Sequence, residues 1–565
     1  MSIPRPEHPK PQFFRDTWHN LNGTWQFEID NGRSGVERNL MAVGAQLSGE
    51  ITVPFCPESR LSGLAHTDFM YGVWYKRTVD IADISGRVLL HFGAVDYCAT
   101  VFVNGETAGT HKGGYVSFCL DITAFVHSGS NEIAVFAEDD TRDRLKPTGK
   151  QSERYNSFDC FYTRTTGIWQ TVWLEFVPEA YVKSACFTAE ASLAGVDFQL
   201  ELEGCGPLSL EASYDGRVVG EYSLTCAAGV VYGQLSVSES HLWEPGHGRL
   251  YDVTIRFGAD TVKSYFGLRT IRFDGHRFLL NGKSVFQRLV LDQGFYPDGI
   301  YTAPTDEALR NDILLSMQAG FNGARLHEKI FEERFLYHAD ALGYLVWGEF
   351  PNWGLDISYA DSIYGMLPEW IEELKRDYSH PAVVGWCPFN ETWDQNGRKQ
   401  FDPVLDTVYH VTKAIDPTRP CIDTSGNFHV VTDVFCVHDY DQNPETFKAH
   451  YDELMINGTL YERFPDRQAY HGQPCFVSEY GGIGWYEDAR GWGYGNAPTT
   501  KEEFMRRFAG LTEALLANRE MFGLCYTQLT NVEQEQNGLY TYDRKPKFDM
   551  DAIRAILSQK AAIED

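Results

Sequence analysis

Two glutamates stand in surroundings that suit acid and base chemistry. One lies in Trp386-Cys387-Pro388-Phe389-Asn390-Glu391-Thr392-Trp393, the other in Phe476-Val477-Ser478-Glu479-Tyr480-Gly481-Gly482. Each closes a short apolar run, and a run of that length reads as a buried strand. A carboxylate at the C-terminal end of a parallel strand is where a (β/α)8 barrel gathers its reactive groups. A carboxylate and a carboxylic acid about 5 Å apart can attack an anomeric carbon and protonate the leaving oxygen, the retaining route to glycoside cleavage, whereas a wider gap gives inversion. The two are too far apart in sequence for one local motif, so a barrel rim has to bring them together. Either glutamate alone could equally be a solvated or salt-bridged strand end. The pair is harder to explain that way.

The elements that would position them begin near residue 271, where strands alternate with helices. An apolar run at 285–291 is followed by Thr305, placed to cap a helix with Asp306 and Glu307 in its positive first turn. Leu309, Ile313, Leu314 and Met317 share one face of that helix, and Gly320 is placed to stop it. Further strand candidates lie at 321–326, 344–347, 383–386, 420–422, 434–437, 474–477 and 523–526. The set is what a closed barrel needs. On this reading Glu391 follows strand four and Glu479 ends strand seven. The connection 425–433 is too short for a regular helix.

Upstream the chain reads as all-β. Residues 1–180 carry short alternating runs such as Val73-Trp74-Tyr75-Lys76-Arg77-Thr78-Val79, with Asn104-Gly105 as the clearest hairpin signal. A β-sandwich of jelly-roll type fits. Residues 181–270 are again strand-like, with Tyr251-Asp252-Val253-Thr254-Ile255-Arg256-Phe257 alternating cleanly, and suit a smaller immunoglobulin-like sandwich. Residues 271–565 would form the TIM barrel.

Composition narrows the function. The 565 residues allow several domains, and the net charge of −29 argues against nucleic acid or an anionic membrane as partner. No apolar stretch is long enough for a membrane helix, and the N-terminus has no signal-peptide core. The 12 cysteines are scattered without a C-x-x-C pair, which suits free thiols in the cytoplasm. Aromatic content is 14%, as sugar clefts use, although all-β cores use aromatics too. No serine elbow, phosphate-binding glycine loop or zinc-protease motif is present, which disfavours an esterase or another hydrolase class.

Sandwich, immunoglobulin-like domain and barrel in that order resemble glycoside hydrolase family 2, the family of bacterial β-galactosidases and β-glucuronidases. Gly72-Val73-Trp74-Tyr75-Lys76-Arg77 and Gly167-Ile168-Trp169-Gln170 are similar to its N-terminal domain. Phe266-Gly267-Leu268-Arg269 with Leu280-Asn281-Gly282-Lys283 is similar to its barrel entry, and Gly320-Phe321-Asn322-Gly323-Ala324-Arg325 to its second strand. The resemblance implies Glu391 as acid/base and Glu479 as nucleophile. It implies that Asn390 binds the sugar's 2-hydroxyl and that Arg325 and Tyr440 touch the nucleophile. Asp292, His327, Glu328, Trp485, Trp393, Asn531 and Glu533 are further candidates for the pocket, and Glu349 for support of Glu391 or an ion pair. A homo-oligomer is suggested by the resemblance alone.

Departures from the family bear on substrate. Where some β-galactosidases hold magnesium through Glu-x-His, this chain has Glu349-Phe350-Pro351, so no metal and no cofactor is expected. Where β-glucuronidases hold the uronate through Asn-x-Lys, it has Glu535-Gln536-Asn537, and a glutamate there would repel a uronate. The expectation is therefore an exo-acting retaining β-glycosidase of β-galactosidase type, acting on a small glycoside or oligosaccharide. A β-glucuronidase or β-galacturonidase using Arg288 or Lys329, and an α-L-arabinopyranosidase, stay open. So does a carbohydrate-binding protein that has lost activity.

Overall fold

The computed structural model describes residues 3–486 and 491–564. In the N-terminal part, six antiparallel strands lie in the order Gly49–Val53, Gly23–Ile29, Gly72–Ile81, Gly129–Glu138, Cys98–Val103 and Glu106–Lys112. Four more face them in the order Trp18–Asn20, Val172–Val177, Arg87–Phe92 and Phe118–Asp121. Val73, Tyr75, Val101 and Val135 from the first sheet meet Leu90, Phe92 and Leu174 from the second in one core. The Asn104-Gly105 hairpin forms as its residues require, with φ of 51° and 84°.

A second sandwich packs Tyr181–Ala189, Gly195–Glu203 and Gly229–Ser236 against Arg217–Cys226, Gly206–Tyr214, Tyr251–Phe257 and Asp260–Phe266. In Tyr251–Phe257 the buried residues are Tyr251, Val253, Ile255 and Phe257, the period-two face read from the sequence. Arg15 ties the two sandwiches, donating to Glu175 at 2.6 Å and to Asp260 at 2.9 Å.

The barrel follows. A short antiparallel sheet, Ile271–Asp274, Arg277–Leu280 and Lys283–Ser284, comes first, with Phe273 and Phe278 against Phe522 of the last barrel strand. Parallel strands Gln287–Asp292, Gly323–Leu326, Leu345–Glu349, Val383–Cys387, Phe435–Asp439, Cys475–Gly481 and Met521–Thr527 form a curled sheet. The fifth barrel position departs from the expected strand. Residues 421–425 pair with the fourth strand only through single parallel bridges, Trp386 with Cys421 and Asn390 with Ser425. Asp423 explains the break, because it turns its carboxylate onto the backbone N–H groups of Val430 (2.6 Å) and Val431 (3.0 Å) and onto His429 (2.6 Å). That folds the short connection without a helix. Glu391 and Glu479 keep their places after strand four and near the end of strand seven.

The first helix, Asp306–Ala319, begins at Thr305, whose hydroxyl accepts from the Ala308 N–H, and ends at Gly320 with φ 104°. Its buried stripe differs from the expected one. Asp312 and Ser316 are buried, while Leu314 and Met317 are half-buried. Arg544 explains the buried acid, pairing with Asp312 at 3.0 Å.

The N-terminal sandwich is clamped to the barrel through Glu369, whose Oε1 accepts from the N–H groups of Tyr115 (2.6 Å) and Val116 (3.3 Å). Burial pushes the Glu369 carboxyl up to about 7. A carboxyl raised above its unfolded value contributes stability below that value and loses it as pH rises through the folded one. Melting temperature should therefore fall between pH 5 and 8, and Glu369→Gln, which keeps the acceptor and removes the titration, should shrink that fall. Thermal melts across the pH range check this. An unchanged slope would remove Glu369 from the account.

Candidate active site

Glu479 lies on a strand buried along its whole length, and it is itself 3% exposed. Arg325, wholly buried on strand two, donates from Nη1 to Glu479 Oε1 at 3.1 Å, and the Tyr440 hydroxyl donates to Oε2. His327 Nε2 and His438 Nε2 each stand 3.4 Å from Oε1. Burial alone would raise the Glu479 carboxyl, but His438, His327 and Arg325 together hold it well below the usual carboxylate range. The group is kept ionised, as a nucleophile requires.

Arg325 spreads its fork over several partners. It donates from Nε to Glu349 at 2.5 Å, from Nη1 to the Ser478 carbonyl at 2.8 Å, and from Nη2 to Asn390 Oδ1 at 2.9 Å. Asn390 is thereby turned so that its Nδ2 is buried with no hydrogen-bond partner among the described residues. An unpaired buried amide donor is costly unless a ligand hydroxyl completes it. The Asn390 backbone is clamped by Asn352 and by the Trp353 indole, which donates to its carbonyl at 3.0 Å. Glu349 pairs with Arg325 rather than with Glu391. Burial pushes its carboxyl up to about 7 despite that partner, since Glu479 adds a second negative charge.

Glu391 holds a left-handed backbone with φ 44°, unusual for a residue with a side chain. Its N–H donates to the Ser425 carbonyl at 2.9 Å, so the irregular fifth position is what fixes the turn. Its carboxyl meets His438 Nδ1 at 2.6 Å, while His438 Nε2 meets the Ser425 hydroxyl at 2.9 Å. A neutral imidazole can accept at Nδ1 when Glu391 is protonated and donate there when Glu391 is ionised, with the Ser425 hydroxyl taking the complementary role at Nε2. The site can thus serve an acid in one step and a base in the next. Oxygens of Glu391 and Glu479 and a nitrogen of His438 all lie within 4.8 Å of one another. That separation is on the order of the one a direct carboxylate attack uses, shorter than the gap of an inverting pair.

The other sequence candidates divide. His327 faces Glu479, with its Nδ1 at 3.0 Å from Gln293, and burial and Lys150 push its pKa down to about 3, so it acts as a neutral ring. Asp292 caps its own turn, accepting from the Gly294 N–H at 2.9 Å. Burial and nearby Asp312 push its carboxyl up to about 7. Glu533 accepts from the Thr163 N–H at 3.0 Å and so ties the sandwich to the rim. Asn531 Oδ1 accepts from Lys547 at 2.9 Å, and Trp485 lies edge-on against Phe548. Glu328 Oε2 accepts from the Trp353 N–H at 3.0 Å, and burial raises its carboxyl strongly. Trp393, 44% exposed, lines a cavity of about 380 Å³ beside Glu391, together with Phe158, Phe161, Trp353 and Leu355.

Neither cation named from the sequence is free for a glycone. Arg288 pairs with Glu564 at 3.0 Å, and Lys329 donates to the carbonyls of Gly294 (2.5 Å) and Tyr301 (2.8 Å). Sequence reasoning missed Lys150, His438 and Ser425. His438 lies two residues before Tyr440, on the same face of an extended strand, which was the available signal. Lys150 sits in a sandwich loop with no motif around it.

Comparison with known proteins agrees with this geometry. Residues 18–178 match the sugar-binding domain of the glycosyl hydrolases family 2, and residues 273–560 match that family's TIM barrel domain. The chain belongs to glycosyl hydrolase family 2. A β-glucuronidase of Felis catus is 27% identical over 523 residues, 82% of this chain and 77% of its own length. A β-galactosidase of Thermoanaerobacter pseudethanolicus is 26% identical over 407 residues, 67% of this chain and 52% of its own. Among solved structures, the Lactobacillus rhamnosus β-glucuronidase superposes with a TM-score of 0.82 at 22% identity, covering 97% of this chain and 99% of that one. Family membership makes the chain a glycoside hydrolase. Its sandwich-and-barrel architecture is the family's.

Proposed function

We propose that this family 2 hydrolase is a retaining exo-β-glycosidase that removes a terminal hexuronic acid by double displacement. Glu479 attacks the anomeric carbon. Glu391 protonates the departing oxygen, then deprotonates the water that releases the sugar. The observation that carries the mechanism is the approach of the two carboxyl groups within 4.8 Å. The hexuronide reading is supported by relatives such as the Felis catus and Sus scrofa β-glucuronidases, which align over 82% and 83% of this chain.

Glu535 favours a second reading, a neutral β-galactoside, since an ionised glutamate at that place would repel a uronate. Its surroundings weaken the objection. Glu535 is buried, accepts from the Tyr162 hydroxyl at 2.5 Å and from Asn537 at 3.0 Å, and burial raises its carboxyl above the ordinary value. A carboxyl that burial makes harder to ionise repels an anion less than a solvated one.

Initial rates on nitrophenyl β-glucuronide, β-galacturonide, β-galactoside, β-glucoside and α-L-arabinopyranoside test the reading. A uronide is expected to lead, with the β-anomer of the free sugar formed first by proton NMR. A galactoside or arabinopyranoside leading by tenfold would replace it with the neutral reading. No turnover on any sugar would favour a binding protein.

A further inference from the structure

Lys150 belongs to the N-terminal sandwich, yet its ammonium lies over the Trp353 ring at 4.1 Å, and that indole donates to the carbonyl of Asn390. The side chain is 4% exposed. Among the described residues, none is hydrogen-bonded or ion-paired to the ammonium. Burial would lower its pKa, but Cys160, Glu535, Glu479 and Glu328 raise it instead, so it stays charged. A largely buried ammonium held over a ring face is costly to build into a fold.

The loop that carries it is wedged into place. Thr148 donates to the Trp353 carbonyl at 2.7 Å, Gly149 to the same carbonyl at 3.1 Å, and Tyr162 to the Lys150 carbonyl at 2.7 Å. Gly149 has φ +53°, and a Cβ there would stand 2.3 Å from the Glu328 carbonyl oxygen, so the close approach depends on glycine. The position of the ammonium follows from backbone packing and not from a flexible surface stem.

Arg325 answers ionised Glu479, while burial raises the carboxyls of Glu328 and Glu535. That leaves Lys150 without a carboxylate of its own at ion-pair distance among the described residues, although the fields of Glu535, Glu479 and Glu328 reach it. The chain's overall charge of −29 does not supply one, because exposed charges are screened beyond about 8 Å at physiological ionic strength.

We propose that Lys150 is the specificity residue that takes the carboxylate of a hexuronide glycone, delivered from the sandwich loop rather than from the barrel. This rests on the hexuronide reading above. The loop at Glu535 then forms the wall beside the carboxylate, with Tyr162 and Asn537 holding the glutamate away from it.

The test compares wild type with Lys150→Met on nitrophenyl β-galacturonide and β-galactoside, and on β-glucuronide and β-glucoside. Within each pair the sugars differ at the carboxylate. Lys150→Met should lower kcat/KM on the uronide by roughly 100-fold or more, mostly through KM, and change the neutral partner by less than about fivefold. Lys150→Arg should recover part of the uronide rate. Equal losses on both members of a pair, or a uronide rate kept within threefold, would overturn the assignment. A wild type that cleaves neutral sugars and no uronide would instead remove the hexuronide reading itself. Inhibition of wild type needs no variant. D-Galacturonate should bind at least tenfold more tightly than D-galactose, and parity would count against the hexuronide reading on which the assignment rests.

Discussion

Replacing Glu479 by glutamine is expected to lower kcat/KM on every glycoside by about 10⁴-fold or more, a loss at least as large as removing a general acid or base. Glutamine fills the same space and can still accept from Arg325 while its NH2 donates to the Tyr440 hydroxyl, but an amide oxygen is too poor a nucleophile to form the glycosyl-enzyme. The loss should be independent of the leaving group, because the missing step is the attack itself. It should also leave the fold intact. Arg325 keeps Glu349, the Ser478 carbonyl and Asn390 as partners, so its guanidinium is not stranded. The ionised Glu479 contributes stability above its unfolded pKa that is lost as pH falls through the lower folded value. The variant should therefore melt nearer to wild type in acid than at neutral pH. Azide offered to the smaller Glu479→Ala variant should give an α-glycosyl azide, since the anion enters from the nucleophile's face. Retention of even 1% of the uronide rate by Glu479→Gln, with clean protein, would show that another group attacks.

The parts of this site that were legible in the sequence share a physical reason. Glu391, Glu479 and Arg325 sit at the ends of apolar runs, and a parallel barrel makes strand ends converge. Thr305 and Gly320 bracket their helix because capping is local chemistry. What was not legible depends on contacts between distant segments. Asp312 looks like an exposed helix residue until Arg544, far along the chain, comes to pair with it. The fifth strand failed to appear because Asp423 spends its carboxylate on a local loop, and the same break delivers the Ser425 carbonyl to Glu391. Glu535 was read as a repelling charge, and its burial between Tyr162 and Asn537, which raises its carboxyl, had no local signal. Trp485, a pocket candidate from the sequence, has Phe548 against its edge, a contact between distant segments. Lys150 had no local signal at all. Its place over Trp353 depends on a whole sandwich docking against the rim, which no window of sequence contains.

The second large effect is expected at Glu391, and its pattern matters more than its size. Glu391→Ala removes the acid from the first step and the base from the second. A poor leaving group such as methyl then loses about 10²- to 10⁴-fold in kcat/KM, the usual worth of general acid catalysis. A dinitrophenyl leaving group departs without a proton, so its kcat/KM should fall by less than about tenfold. With that substrate the glycosyl-enzyme forms quickly and hydrolyses slowly, so KM should fall together with kcat. Azide needs no base, and it should restore kcat and give a β-glycosyl azide, the opposite anomer to that from the Glu479 variant. The geometry makes the contrast sharp. His438 remains 3.4 Å from Glu479 after the substitution and keeps its Ser425 partner, so the nucleophile's surroundings survive. A uniform loss across leaving groups, with azide inert, would mean that Glu391 acts through its strained turn and its contact with His438 and not as the proton donor. The acid would then be sought first at His438, which has a ring nitrogen within 4.8 Å of an oxygen of each carboxyl.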